Sequence, residues 1–270
     1  MPKIERNMKK TALVVSVLLA IAIGLIAYFS FGTSTMLDDF VFFAAVIAIF
    51  PSAVLNYIDL KWRKAIDGHL PDLFRSIVQA QETGLTLPKA LEEASKRDYG
   101  PLTVELRKMT AQISWGMSFE EALLALSRRV DTALMQRTVP MIIEASRSGG
   151  HVERIFDPMG KFIQTTLLLD KERQAQTRPY IAIIYVAFFV FLFSVILLFK
   201  SFFVGIEGLQ ELGTAMPPSE IQRTCFRMAS IQAFFGGVVA GKMGDGTMNA
   251  GLKHSLILML CGYVALRLFL

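Results

Sequence analysis

Apolar residues run without a charged side chain over 11–31, 40–58 and 180–199, whereas between 59 and 179 they recur at three- and four-residue steps with charges among them. Each uncharged run approaches the ~20 residues a helix needs to cross a bilayer core. Only helices or closed barrels satisfy their backbone groups in lipid, so the three runs are predicted as spanning helices. Two further apolar stretches are shorter or interrupted: 228–241 is rich in Gly and Ala, and 255–270 contains Arg267. Arg227 and Arg267 can snorkel outward from helix ends, and Lys242, Lys253 and His254 make a basic turn between the two stretches. Five spans are therefore expected.

The stretch 59–179 has no alternating strand pattern and reads as helix throughout. Breakers at Gly84, at Asp98-Tyr99-Gly100-Pro101, at Gly116, at Val130-Asp131-Thr132 and at Gly149-Gly150 divide it into six helices. Pro101 suits a first helical turn, Ser118 with Glu121 fits a capping box, and Asp157-Pro158 reads as restarting the sixth helix. Gly84-Leu-Thr-Leu-Pro-Lys-Ala-Leu resembles Gly116-Met-Ser-Phe-Glu-Glu-Ala-Leu, each a glycine ending one helix and a hydroxyl residue capping the next. An even number of antiparallel helices returns the chain to the membrane. That count puts the Gly84, Gly116 and Gly149-Gly150 turns at the far end and the Asp98 and Asp131 turns beside the bilayer. The sixth helix is expected to run on past Arg178-Pro179 into the third span. The fold class is all-α: a polytopic membrane protein with two transmembrane helices in 1–58, a six-helix antiparallel cytoplasmic bundle in 59–179 and three transmembrane helices in 180–270.

Composition agrees, since 53% hydrophobic residues and a mean hydropathy of +0.46 exclude an ordinary soluble globule. Charge sets the orientation. Lys3, Arg6, Lys9 and Lys10 precede the first span, and Lys61, Arg63 and Lys64 follow the second, while Lys171, Arg173 and Arg178 precede the third. Lys and Arg collect on the cytoplasmic side, so the N-terminus and the bundle are inside and the acidic 205–224 stretch is outside. Lys9 and Lys10 before an apolar run also resemble a secretory signal, but 11–31 exceeds the ~7–15 residues of a signal core and reads as an anchor. No Gly or Ala closes the basic stretch, and no Glu follows it into the apolar run, which argues against a prepilin leader. Cys225 and Cys261 make no disulfide framework.

Catalytic chemistry finds no support. Gly236-Gly-Val-Val-Ala-Gly241-Lys242-Met243 follows a P-loop until Met243 stands where Ser or Thr must bind magnesium, and an apolar helix precedes it instead of a strand. Gly237 and Gly241 read better as a helix-packing pair that lets another helix approach closely. His69, His151 and His254 are scattered, so no metal site, no cofactor, no catalytic residue and no nucleic-acid partner is expected. Lys96, Arg97, Arg128, Arg129 and Arg147 close helices, and Glu120 and Glu121 open one, all complementing the helix dipole. Arg97 and Arg128 would also sit near anionic headgroups of the membrane lipid. Arg154 is different, because a cation in the first turns of a helix opposes the dipole. With Arg147 and His151 it forms a candidate partner-binding group at the far end of the bundle, which an acidic partner surface or an exposed pair with Glu153 or Asp157 would explain.

Leu70-Pro-Asp-Leu-Phe-Arg75, the two glycine repeats, and Glu144-Ala-Ser-Arg-Ser-Gly-Gly150 follow one another in an order that resembles the domain of the type II secretion system protein F family. That family supplies the inner-membrane platform of type IV pilus-like machines. Gly241-Lys-Met-Gly-Asp-Gly-Thr and Gly251-Leu-Lys-His-Ser-Leu-Ile resemble the C-terminal hairpin of archaellar platform proteins and archaeal pilus relatives. The resemblance implies a non-catalytic membrane anchor on which a secretion-type hexameric cytoplasmic ATPase acts to extract and add pilin or archaellin subunits. Long archaellar platforms carry two cytoplasmic modules and this chain has room for one, so a homodimer or a sister platform module is expected, with Gly237 and Gly241 as an available face. A transporter or channel subunit is the competing reading; the uncharged middle of the three strong spans disfavours it.

The flanking charges predict that reporter fusions after Leu270 and within 207–220 both read as external. A cytoplasmic signal from the C-terminal fusion would show that 228–241 does not cross.

Overall fold

The computed structural model describes residues 6–31, 35–147, 153–203 and 218–269. Among them are nine helices and no strand: α1 (Arg6–Phe31), α2 (Thr35–Glu82), α3 (Leu87–Ala94), α4 (Pro101–Ser114), α5 (Phe119–Val130), α6 (Ala133–Arg147), α7 (Glu153–Phe203), α8 (Pro218–Asp245) and α9 (Met248–Phe269). The chain divides into two compact units, one of Asp59–Arg173 and the other of Ile4–Ile58 with Gln174–Leu270. Both α2 and α7 continue unbroken from one unit into the other. The continuous α7 was expected from the sequence; α2, of 48 residues, matches it without having been foreseen. Asp157 and Pro158 do not restart the sixth helix, because α7 already begins at Glu153.

In the first unit, the later part of α2, helices α3 to α6 and the early part of α7 give the six helical stretches. The reversals between them fall at the expected breakers; the Gly149-Gly150 turn lies outside the described residues. Ile66, Leu70, Phe74 and Ile77 of α2 meet Leu91, Leu102, Leu106, Leu123, Val139 and Phe156 in one core. Their three- and four-residue spacing on α2 places them on one face. Gly84 and Gly116 take positive φ of 85° and 93°, a conformation that a side chain would strain. The following helix starts differ. Ser118 and Glu121 form the full capping box, with the Glu121 amide donating to the Ser118 hydroxyl. Thr86 holds the corresponding position with no side-chain capping bond, and Pro88 instead removes one of the amides that would need a partner.

Two polar contacts organise this unit. Glu105 is almost fully buried and accepts from Lys108 at 2.9 Å and from Arg129 Nε at 2.8 Å, while Arg129 Nη1 donates to Gln112 at 3.1 Å. Arg129 thus ties α5 to α4 in addition to closing its own helix. Arg63, held by Asp59, and Asp67 grip the turn between α5 and α6. Arg63 donates to the Asp131 carbonyl and to Asp59, and the Thr132 hydroxyl donates to Asp67 at 2.7 Å. Asp131 takes the left-handed conformation at φ 48°. The Asp131 turn therefore lies at the end of the unit where the chain emerges from the apolar run of α2.

In the second unit α8 and α9 form an antiparallel hairpin. Among the described residues four helices are long and apolar enough to cross a membrane, with bounds Met8–Ser30, Met36–Glu82, Phe156–Ser201 and Met248–Phe269. α8 falls below them because its glycines, Gln232 and its charged ends dilute its apolarity. Its extent is nonetheless that of a span. Near its start Arg223 and Arg227 pair with Asp38 of α2, and near its end Gly244 lies beside Ile181 of α7. Lys253, just past the turn, stacks on Tyr57 of α2 at 5.4 Å. α8 thus covers the stretch that α2 covers between Asp38 and Tyr57. Phe42, Phe188, Leu192, Ala233 and Leu258 make the core between these helices, and outward residues such as Leu18, Ile26 and Phe29 of α1 are exposed, as a lipid-facing surface requires.

Burial raises the Glu105 carboxyl, and the hydrogen bonds from Lys108 and Arg129 outweigh it, so its pKa is lowered overall. A depressed folded pKa contributes stability above the ordinary glutamate value of about 4.3, and that contribution is lost as pH falls through the folded value. Glu105→Gln is expected to cost about 1.5–3 kcal/mol at pH 7, as charge-assisted hydrogen bonds do. In thermal melts of the full-length protein its deficit against wild type should shrink steadily below pH 4.

Candidate partner-binding and helix-packing sites

Of the three residues expected to meet a partner, Arg147 is described, His151 lies outside the described residues, and Arg154 falls within α7 with its side chain outside them. Arg147 closes α6 and reaches across to Glu120 in the first turn of α5, with Nε to Oε1 at 2.8 Å and a second bond from Nη2 to Oε2. The hydrogen bonds and charge of Arg147 hold the Glu120 carboxyl below its usual range. Both side chains stay accessible, at 60% and 37%. A bidentate pair of this kind orders two helix ends at the surface, where solvent screening leaves it little effect on stability. Asp157, offered as a mate for Arg154, pairs with Lys161 at 2.8 Å. One neighbour escaped sequence reasoning. Trp115, in the turn that ends α4, is 85% exposed, and a large aromatic on a hairpin tip is the residue type that anchors protein interfaces. Its position directly before Gly116 was the available signal.

Gly237 and Gly241 do let a helix approach closely, and that helix is α9 of the same chain. A Cβ on Gly237 would collide with the backbone of Ser255, and one on Gly241 with that of Gly251. Gly251 in turn would meet Val238 Cα at 2.6 Å. Ser255, fully buried, donates to the Phe234 carbonyl at 2.7 Å and fastens the two backbones. The face expected to serve a second copy is therefore filled from within. The reason is distance along the chain: a tight turn at Gly246 brings α9 back against α8 before any other chain can reach it. The same helix accounts for the residues that imitate a P-loop, since 236–243 lie inside α8 with no turn to cradle a phosphate.

Arg227 and Arg267 do not simply snorkel outward. Arg223 and Arg227 both pair with Asp38, at 2.8 and 2.7 Å, and Arg267 pairs with Asp39. A belt of two carboxylates and three guanidiniums thus joins the ends of α2, α8 and α9. The four-residue spacing of Arg223 and Arg227 signalled one helix face; that the face points at Asp38 had no signal in the sequence. At the other end of these helices the Tyr185 hydroxyl and His254 Nδ1 share a hydrogen bond of 2.8 Å, and Lys253 pairs with Asp245 at 2.9 Å. No group of three or more His, Cys, Asp or Glu among the described residues is placed to hold a metal ion. Cys225 and Cys261 are both free.

Residues 68–199 match the family model for type II secretion system (T2SS), protein F. An uncharacterized protein of Methanocaldococcus jannaschii is 22% identical over 233 residues, which cover 86% of this chain and 38% of that protein. The chain thus spans well under half the length of that curated relative. No solved structure matches it.

Gly241→Leu forces α9 outward and is expected to cost about 1–3 kcal/mol, the range for overpacking. It should lower the melting temperature of the solubilised protein. Unchanged melting with lost crosslinking between copies would show that the glycine face works between chains after all.

Proposed function

We propose, from the premise that the chain belongs to the type II secretion system protein F family through residues 68–199, that it is the membrane platform of an archaellum or type IV pilus-like filament machine. The observation that carries this is the extent of the match, which begins in α2, covers the helical bundle and ends within the apolar run of α7. On this reading the platform couples a secretion-type hexameric ATPase in the cytoplasm to insertion of pilin or archaellin subunits from the membrane. The similarity to a Methanocaldococcus jannaschii protein supports an archaeal machine. The greater length of that protein supports a second module, supplied by a second copy of this chain or by a sister platform protein.

The topology proposed for this role has five crossings, with the N-terminus cytoplasmic and the C-terminus external. α8 is counted because it covers the same stretch as α2 between Asp38 and Tyr57. The basic group Lys61, Arg63 and Lys64 then faces the cytoplasm, as the asymmetry of Lys and Arg demands.

The proposed ATPase contact is the group Arg147, His151 and Arg154. Because Arg147 already pairs with Glu120, simple reversal of Arg147 would disturb the protein itself. The exchange Glu120→Arg with Arg147→Glu keeps that pair while relocating the charge. Combined with Arg154→Glu, it is expected to weaken co-purification of the cognate ATPase about tenfold at low salt and less at high salt, with membrane insertion unchanged. Equal recovery of the ATPase by variant and wild type at low salt would move the docking surface elsewhere on the bundle. Failure of the wild type itself to recover any such ATPase would remove the platform reading.

A further inference from the structure

An apolar groove of about 730 Å³ lies between α2 and α8, with the buried Met259 of α9 behind it. One wall runs from Leu37 to Ile49 on α2 and the other from Phe226 to Phe235 on α8. At about 1.5 Å per helical residue these walls are roughly 18 and 14 Å long, about half of a ~30 Å hydrocarbon core. Val41, Ile231 and Phe235 stand along the groove and are exposed. At the level of Ala48, Ser16 of α1 donates to the Ala48 carbonyl at 3.1 Å, so α1 meets α2 where the groove ends.

The charged belt closes the other end. Asp38 is shared by Arg223 and Arg227, so two guanidiniums face one carboxylate, whereas Arg267 and Asp39 balance one another. Arg223 is largely covered and Arg227 is 54% exposed at the mouth of the groove. Among the described belt residues one positive charge is therefore left over at the depth of the headgroups, on Arg227, whose Nε and Nη2 both donate to Asp38 Oδ1, leaving Nη1 for a phosphate oxygen. A transmembrane helix of another protein would need a groove about twice as long to cross beside it. An acyl chain needs the depth of one leaflet.

We infer that this groove binds one membrane phospholipid of the leaflet at the Asp38 end, with its phosphate on Arg227 and one acyl chain along the α2 and α8 walls. The lipid fills the gap between α2 and the least apolar of the membrane helices, and it neutralises the belt. This site stands apart from the platform role, since it requires only the geometry of the second unit.

The test uses full-length protein in nanodiscs containing phosphatidylglycerol with a photoreactive group in its acyl chain. Labelling is expected to concentrate on peptides covering 37–49 and 226–235, well above the lipid-facing 183–198 of α7. Arg227→Gln should reduce it about tenfold, the loss of one charge-assisted contact. Ile231→Trp should reduce it by filling the groove with Arg227 intact, and diacylglycerol carrying the same reactive chain should label about tenfold less than the phospholipid. Even labelling of all lipid-facing helices, or labelling unchanged by both variants, would mean annular lipid only and overturn the site. Crosslinks through Ile231 to a second copy, in place of lipid, would overturn it equally.

Discussion

Backbone amides and carbonyls have no partner in a bilayer except one another, and the organisation of this chain follows from that constraint. A helix entering the membrane cannot unwind until it has left the hydrocarbon, and α2 and α7 do not unwind even then. Each carries on through the boundary between the two units as the same helix. Prolines sit within both, including Pro51 and Pro71 in α2 and Pro179 in α7. Each removes one intrahelical bond and leaves the path of the chain helical. Within the first unit the earliest core residue of α2 is Trp62, and Arg63 and Asp67 beside it make the polar contacts to the α5–α6 turn.

Charge is then distributed by what each end of the helices requires. Within the apolar stretches serine hydroxyls are spent on the chain itself: Ser16 on the Ala48 carbonyl, Ser255 on the Phe234 carbonyl, Ser230 on the Phe226 carbonyl. Full charges lie at the margins of the apolar stretches. At the Asp38 end they are paired across three helices, and at the Tyr57 end a lysine is held by Asp245 and by an aromatic face. Paired ends fix the register of α2, α8 and α9 without placing an ion in the hydrocarbon, where it would be costly.

Periodicity and breakers made the bundle legible. Gly84, Gly116, Pro101 and the Ser118 capping box each enforce a local conformation that no distant contact has to supply, so their reading from sequence holds in three dimensions. The misplaced features depend on partners far along the chain. Asp157-Pro158 looks like a helix start because both residues favour one, yet α7 already extends back to Glu153. Arg227 and Arg267 read as snorkelling cations because Asp38 and Asp39 lie 189 and 228 positions away in sequence. Of the candidate partner group only Arg147 has a described side chain, and its pairing with Glu120 across 27 residues also depends on tertiary packing.

The glycine face bears directly on how two copies of this chain could associate. A G-x-x-x-G pair in an apolar helix invites a partner helix, but it cannot choose between a partner in the same chain and one in another. Here the choice is made by the turn at Gly246, which supplies α9 at high effective concentration and consumes Gly237, Gly241 and Gly251 in one contact. Bulky residues at these glycines would break the hairpin before they reported on assembly. Any pairing of modules has to use surface that the fold leaves uncovered, and in the first unit that includes the exposed apolar side chains Phe162 and Leu169 of α7 and Trp115 at the end of α4. Two of these lie on α7 and one at the tip of the α4–α5 hairpin, so contacts made through α7 and contacts made at that tip would not compete for the same side chains.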